Sequence, residues 1–426
     1  MVLIRALIAA LILSIPWVKW EVFPRVTVTE AIFASSLLVL LIETLRGRTK
    51  VLSHMARAPF MPIIAFVVLA LLPSGIHAPH VTNYLFESAG MAYLGLLALT
   101  ISVLLVQDEG WFDSAGRWLV YSTAIVGSVC LIGIIKGSTV GFDDLFLFSN
   151  KAKLIATFKY PNQLAGFLVL LLPVTWELLW EAYGKRRLLY GMLCLAMLVA
   201  VASSCSRAGL AVIGVLAIGY GIWGLVRKRY KLVITVVLAG IIALGTVLLV
   251  VTVAGDENGA SPLPGSKAIF SLVSGVFSRG QVTDTFRLEN WANGVRLFLV
   301  HPLTGYGLGN IWLDYGHEVH NTYLSILAET GALGALAFLI LLTYITLLGY
   351  QNLRLASNLR PKWTPYARGM FAGLLAEYLF ATQHVVIRSR HLWLIFGMIV
   401  AMNTLLRKAG TKEGKEDVRN LRNTLS

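Results

Sequence analysis

The chain has 426 residues, 57% of them hydrophobic and only 14% charged, with a mean hydropathy of +0.73. A soluble protein of this length cannot hide so much apolar side chain in one core, so a soluble globular fold is excluded. The net charge of +14 would suit nucleic acid, but it falls in clusters between alternate apolar runs, and a nucleic-acid partner is not expected.

A helix crosses a bilayer with about 20 consecutive apolar residues, and about twelve such runs follow one another. The first half holds 2–18, 27–45, 59–76, 84–106, 117–136 and 162–181; the second holds 187–203, 207–226, 231–254, 322–348, 366–387 and 391–406. Helices satisfy their own backbone hydrogen bonds, as hydrocarbon demands, so the expected fold is all-α and polytopic. The first run starts basic but lacks a small-residue cleavage site, and it is expected to stay as a helix. Basic clusters lie at Arg46, Arg48, Lys50 and Arg57, then at Lys185, Arg186 and Arg187. Two more lie at Arg227, Lys228, Arg229 and Lys231, and at Arg354, Arg360, Lys362 and Arg368, and the tail after Arg407 is basic as well. Positive charge stays cytoplasmic on insertion, which places both termini inside. Cys130, Cys194 and Cys205 are scattered and read as small apolar residues.

This orientation leaves two long external stretches, 137–161 and 255–321. In the second, TFRLENWANGVRLFLVHPLTGYGLGN repeats Phe286, Trp291, Val295 and Phe298 at roughly helical spacing. A helix near 284–299 is expected on the membrane surface, ended by His301-Pro302. Four helices begin on the outer side, at Pro161-Asn162, Arg207, His320-Asn321 and Arg388-Ser389-Arg390. Their N-termini present unpaired N–H groups that suit an anion. The outer face has no D-x-D and no His/Cys cluster at metal-ligand spacing, so no metal and no cofactor are expected. Arginine would meet a phosphate there, because it grips oxygens bidentately and stays charged. GYGLGN at 305–310 lacks the strand–turn–helix setting of a nucleotide loop and reads as a tight turn. In VHNTYLSILAETGALG, Asn321 either caps the next helix or orients His320. Glu329 lies about two and a half turns further on and is expected to pair with another helix, with Gly331 and Gly334 allowing close packing.

From about 158 to 334 the motifs resemble, in order, the bacterial O-antigen ligase and O-antigen polymerase superfamily. FKYPNQLAGFLVLLLP is similar to its Pro-Asn stretch, and SSCSRAG to its Ser-Arg-Gly stretch, although Ala208 stands between Arg207 and Gly209. RLENWANGVRLFLVHPLTGYGLGN resembles its Arg…Trp…His-Pro-Leu-x-Gly-x-Gly segment, and VHNTYLSILAETGALG its His-Asn…Glu-x-Gly-x-x-Gly signature. The resemblance implies a GT-C-like, metal-independent glycosyltransferase of the bacterial inner membrane, working at its outer face. The donor would be a glycan on undecaprenyl pyrophosphate, and the acceptor lipid A-core, a growing polymer or another hydroxyl. Carried onto this chain, the essential residues are Arg207, Arg287 and His320. Lys159, Asn162, Asn321, Arg388 and Arg390 are further candidates for substrate contact.

Each residue alone has a plainer reading. His320 could be an interfacial histidine, Arg207 a snorkelling arginine, and Arg287 a charge on a surface helix. An O-antigen ligase is the expected function, with a polymerase of the same donor chemistry as the alternative. A flippase for lipid-linked sugars is the rival of another class, weakened by the lack of repeated halves.

Overall fold

The computed structural model describes residues 2–19, 21–23, 26–47, 60–139, 153–226, 228 and 280–425. The apolar run at 231–254 and the parts 140–152 and 255–279 of the two external stretches lie outside them. Helices α1 (Val2–Ser14) and α2 (Val28–Leu45) flank a small antiparallel hairpin of β1 (Glu21–Phe23) and β2 (Val26–Thr27). Then come α3 (Met61–Ser74), α4 (Val81–Val106), α5 (Glu109–Thr139), α6 (Pro161–Glu181), α7 (Gly184–Ser203) and α8 (Arg207–Val226). The second half holds α9 (Gly280–Val300), the short α10 (Asn310–Tyr315), α11 (Thr322–Leu359), α12 (Thr364–Phe380) and α13 (Arg390–Leu425).

Among the described residues, eight helices are long and apolar enough to cross a membrane: α2, α4, α5, α6, α7, α8, α11 and α13. Shorter apolar helices lie at Leu3–Ser14 and Met61–Ser74. The fold is thus an all-α, polytopic membrane protein. Helices α6 and the first half of α13 are apolar all round and buried on nearly every side, whereas α8 leaves most of its apolar surface exposed, as a helix facing lipid does. Helix α6 packs on α12 and α7, α13 on α4 and α11, and α3 on α11. Close approach of α12 to α6 needs Gly369 and Gly373, where a Cβ would strike the Val174 and Leu170 backbone.

Contacts sort the helix ends into two faces. On one, Arg360 and Lys362 reach Glu109 and Asp113, while Arg368 reaches Glu177 and Glu181. The other gathers the starts of α2, α4, α6, α8, α11 and α13 with the ends of α7 and α12. It is tied by Leu154 N–H to the Ser203 carbonyl (3.1 Å), Val18 N–H to the Thr157 carbonyl (3.1 Å) and the Arg390–Glu30 ion pair.

Several boundaries differ from the apolar pattern, and three bear on the packing. Helix α5 starts at Glu109 instead of near 117, because Trp111, Phe112 and Ala115 are buried and Phe112 packs on Trp363 at 4.7 Å. Helix α11 runs past 348 to Leu359, its buried Asn352 donating to the Ile399 carbonyl at 2.9 Å. The run 366–387 is helical only to Phe380, for a reason that lies in the site itself.

Candidate functional site

Helix α11 opens with a strained turn. His320 has φ of 54°, a left-handed conformation that non-glycine residues hold only when their surroundings impose it. Asn321 is extended, and its Oδ1 accepts the Leu324 N–H at 3.0 Å, so it is the N-cap. Thr322 then binds the 381–389 segment at three points. Its N–H donates to the Ala381 carbonyl (2.9 Å), its Oγ1 donates to the His384 carbonyl (2.7 Å), and Val386 N–H donates to that Oγ1 (2.9 Å). These bonds take backbone groups that a longer α12 would use internally, and α12 therefore stops at Phe380.

Arg287 of α9 reaches this segment, donating from Nη1 to Gln383 Oε1 at 2.9 Å. Gly294, two turns along, leaves room for Val319 and Leu324 to pack against α9. The half-buried His320 has its pKa held below the ordinary histidine value, first by burial and also by the Arg287 charge and His317, against the opposing pull of Glu318. Burial pushes the His384 imidazole down to about 3, helped by Arg287 and His320. Arg287, His320 and His384 thus form one electrostatic group. Two imidazoles lie beside a guanidinium at the start of a helix whose dipole adds positive potential.

Eleven residues after His320, α11 is broken. Gly331 has φ 65° and ψ −168°, and the 301–309 loop docks into the gap backbone to backbone. Tyr306 N–H donates to the Ala328 carbonyl and Gly307 N–H to the Glu329 carbonyl, both at 2.9 Å, while Ala332 N–H donates to the Pro302 carbonyl at 2.8 Å. A Cβ on Gly305 would strike the Glu329 backbone, and one on Gly331 would strike the Leu303 backbone. The glycines of GYGLGN therefore dock a loop onto a broken helix. Gly334 is the one that permits helix packing, with the Ala70 backbone of α3 nearby; Gly331 serves the break.

The break also exposes Glu329 to a partner. Arg388 Nη2 donates to its Oε1 at 3.2 Å and Oε2 at 3.0 Å. Arg388 further lies 3.6 Å from Glu87 and 4.0 Å from Glu318. The carboxylate thus pairs with a residue of the 381–389 loop, where the sequence led us to expect another helix. Three carboxylates surround Arg388, and Arg390 binds Glu30, so both of these candidates for substrate contact are ion-paired within the fold. Arg207 opens α8, which packs on α6 and α12. Before it, Ser206 caps the helix by accepting Gly209 N–H at 3.3 Å. Lys159 is exposed on the segment leading into α6, and Asn162 is half-buried in its first turn. These three gather where α6, α7 and α8 meet, whereas Arg287, His320 and Asn321 gather at the α9–α11 junction.

His384, Gln383 and Glu318 join the site without having been singled out in the sequence. His384 lay inside an apolar run, and only the early stop of α12 turns it toward His320. Among the described residues no group of three or more His, Cys, Asp and Glu side chains is placed to hold a metal ion.

No curated protein matches the chain. Residues 192–339 match the model of a family described as O-Antigen ligase, a stretch that takes in Arg207, Arg287 and His320. Over that stretch, about a third of its length, the chain is similar to the O-antigen ligase family.

Proposed function

We propose that the protein is an O-antigen ligase-type glycosyltransferase that moves a glycan en bloc from undecaprenyl pyrophosphate to a hydroxyl acceptor such as lipid A-core. The observation that carries this reading is a half-buried His320 beside the Arg287 guanidinium at the start of α11, with burial holding its pKa below the ordinary value. A hydroxyl is a weak nucleophile until a base takes its proton, and an imidazole that is neutral at pH 7 is ready to take it. The acceptor oxygen bonds to the anomeric carbon as the bond from that carbon to the pyrophosphate oxygen breaks. The hydroxyl proton passes to His320 Nδ1 or Nε2, and the electron pair leaves with the lipid pyrophosphate. Arg287 and Arg207, with the helix N-termini, stabilise the charge that grows there, usually the largest single contribution to catalysis. Direct attack inverts the anomeric centre, and no metal takes part.

Orientation follows the basic clusters, which put the face holding Arg360, Lys362 and Arg368 in the cytoplasm. The transfer site then meets the periplasm, at the inner membrane of a bacterium, where donor and acceptor both arrive. The family match supports ligase and polymerase alike, and the single long external stretch before His320 favours the ligase. Purified protein incubated in detergent with lipid-linked glycan and acceptor tests the reading. Transfer without a vesicle gradient supports it, and no transfer by well-folded protein overturns it. In cells, loss of a ligase strands long chains on the lipid carrier, whereas loss of a polymerase leaves single repeat units on the acceptor.

A further inference from the structure

Four buried polar atoms without a hydrogen-bond partner among the described residues cluster where α9 meets the start of α11. They are Nδ2 and Oδ1 of Asn290, Nε1 of Trp291 and Nδ1 of His317. Asn290 is 1% exposed, and both ends of its amide are unsatisfied. Such groups destabilise a fold, and native structures hold few of them. Asn290 lies three residues beyond Arg287, on the same face of α9. The His317 ring meets Phe286 edge-on at 5.0 Å, so the three side chains flank Arg287 and His320. The junction packs through its own small cluster of Leu297, Ile311, Val319 and Ala328, separate from the main core.

The donor and acceptor inventory selects the ligand. A fully ionised phosphate offers acceptors alone and would leave Asn290 Oδ1 unsatisfied. A sugar hydroxyl donates and accepts, matching the carboxamide, while the Trp291 and Phe286 rings supply apolar surface for the C–H face of a pyranose. We infer that Asn290, with Trp291 and His317, forms a glycan subsite beside Arg287 and His320 that binds sugar hydroxyls next to the reacting bond. This inference rests on the transfer reading above and adds a sugar-specific contact to it.

The test uses full-length protein in detergent with three probes: lipid-linked glycan, undecaprenyl pyrophosphate without sugar, and the acceptor. Asn290→Leu should keep or raise the melting temperature and leave affinity for the sugar-free lipid unchanged. It should lower kcat/KM about tenfold or more for one glycan substrate, the size of one lost hydrogen bond to a bound ligand. Whichever KM rises, the donor's or the acceptor's, identifies whose sugar is held. Trp291→Phe removes only the Nε1 donor and should lose about threefold or more; it decides the matter if Asn290→Leu does not fold. Unchanged kcat/KM for both glycan substrates would overturn the subsite, as would an equal loss of affinity for the sugar-free lipid. Wild-type protein that transfers nothing overturns the transfer reading itself, a result distinct from active wild type with indifferent variants.

Discussion

Arg287 and Arg388 meet the same nine-residue segment between α12 and α13, yet they do so through different kinds of group. Arg388, within that segment, faces Glu87, Glu318 and Glu329. Arg287 comes to it from α9, donates to the Gln383 carboxamide and lies beside two imidazoles held neutral. A guanidinium ringed by carboxylates has little left to offer a phosphate, and its removal strands buried negative charge. A guanidinium that donates to a neutral carboxamide strands no such charge there. Residue type and membrane depth do not separate the two arginines; their neighbours do.

That contrast can be broken or sharpened by substitution. The largest effect is expected at Arg287. Arg287→Ala should cut transfer about 10²–10³-fold, the range for removing one donor that stabilises transition-state charge, with melting temperature near wild type. Arg287→Lys should stay well below wild type, because an ammonium cannot grip two oxygens in a fork. Full activity in the lysine variant would remove the bidentate role. Arg388→Ala should do the reverse. It leaves the 7%-exposed Glu329 carboxylate unpaired, a loss of about 3 kcal/mol or more for a broken buried pair. The readout is a lower melting temperature and yield, with Arg388→Ala/Glu329→Gln recovering part of it. If Arg388→Ala folds normally and only transfer fails, the arginine belongs with substrate after all.

A smaller loss is expected at the hinge that brings Glu329 to Arg388. Gly331→Ala puts a Cβ onto the Leu303 backbone at φ 65°, for a cost of about 1–3 kcal/mol, visible as easier proteolysis in the 301–309 loop. The mildest change concerns pH. His320 acts in its neutral form, and its pKa lies below the ordinary value, so transfer should persist below pH 6.5 and fail only on further acidification. Glu318 pulls that pKa upward, so Glu318→Gln should move the acid limb of kcat/KM to still lower pH. A limb that moves to higher pH would place His320 elsewhere in the mechanism.

The early stop of α12 shows how sequence and structure divided the information. Apolar period and length announce a helix from 366 onward, because solvent preference is a property of each side chain. They carry it through Val385, Val386 and Ile387, since nothing local says that the side chain and N–H of Thr322, far back in the chain, will take the backbone groups at 381–386. Hidden in that apolar stretch, His384 looked like part of a span. In the same way Arg388 and Arg390 carried a cation at a helix start, and Glu30, Glu87 and Glu329, which bind them, come from three other helices. The capping role of Asn321 was legible because it is a local affair of three residues.

By itself, the sequence determined that this protein is helical, membrane-spanning and polar at one end, since transfer free energy and backbone hydrogen bonding in lipid act residue by residue. Which carboxylates and amides each cation meets was decided only by tertiary structure. A charge's energy depends on neighbours within a few ångströms, and in this chain those neighbours come from helices far apart in sequence.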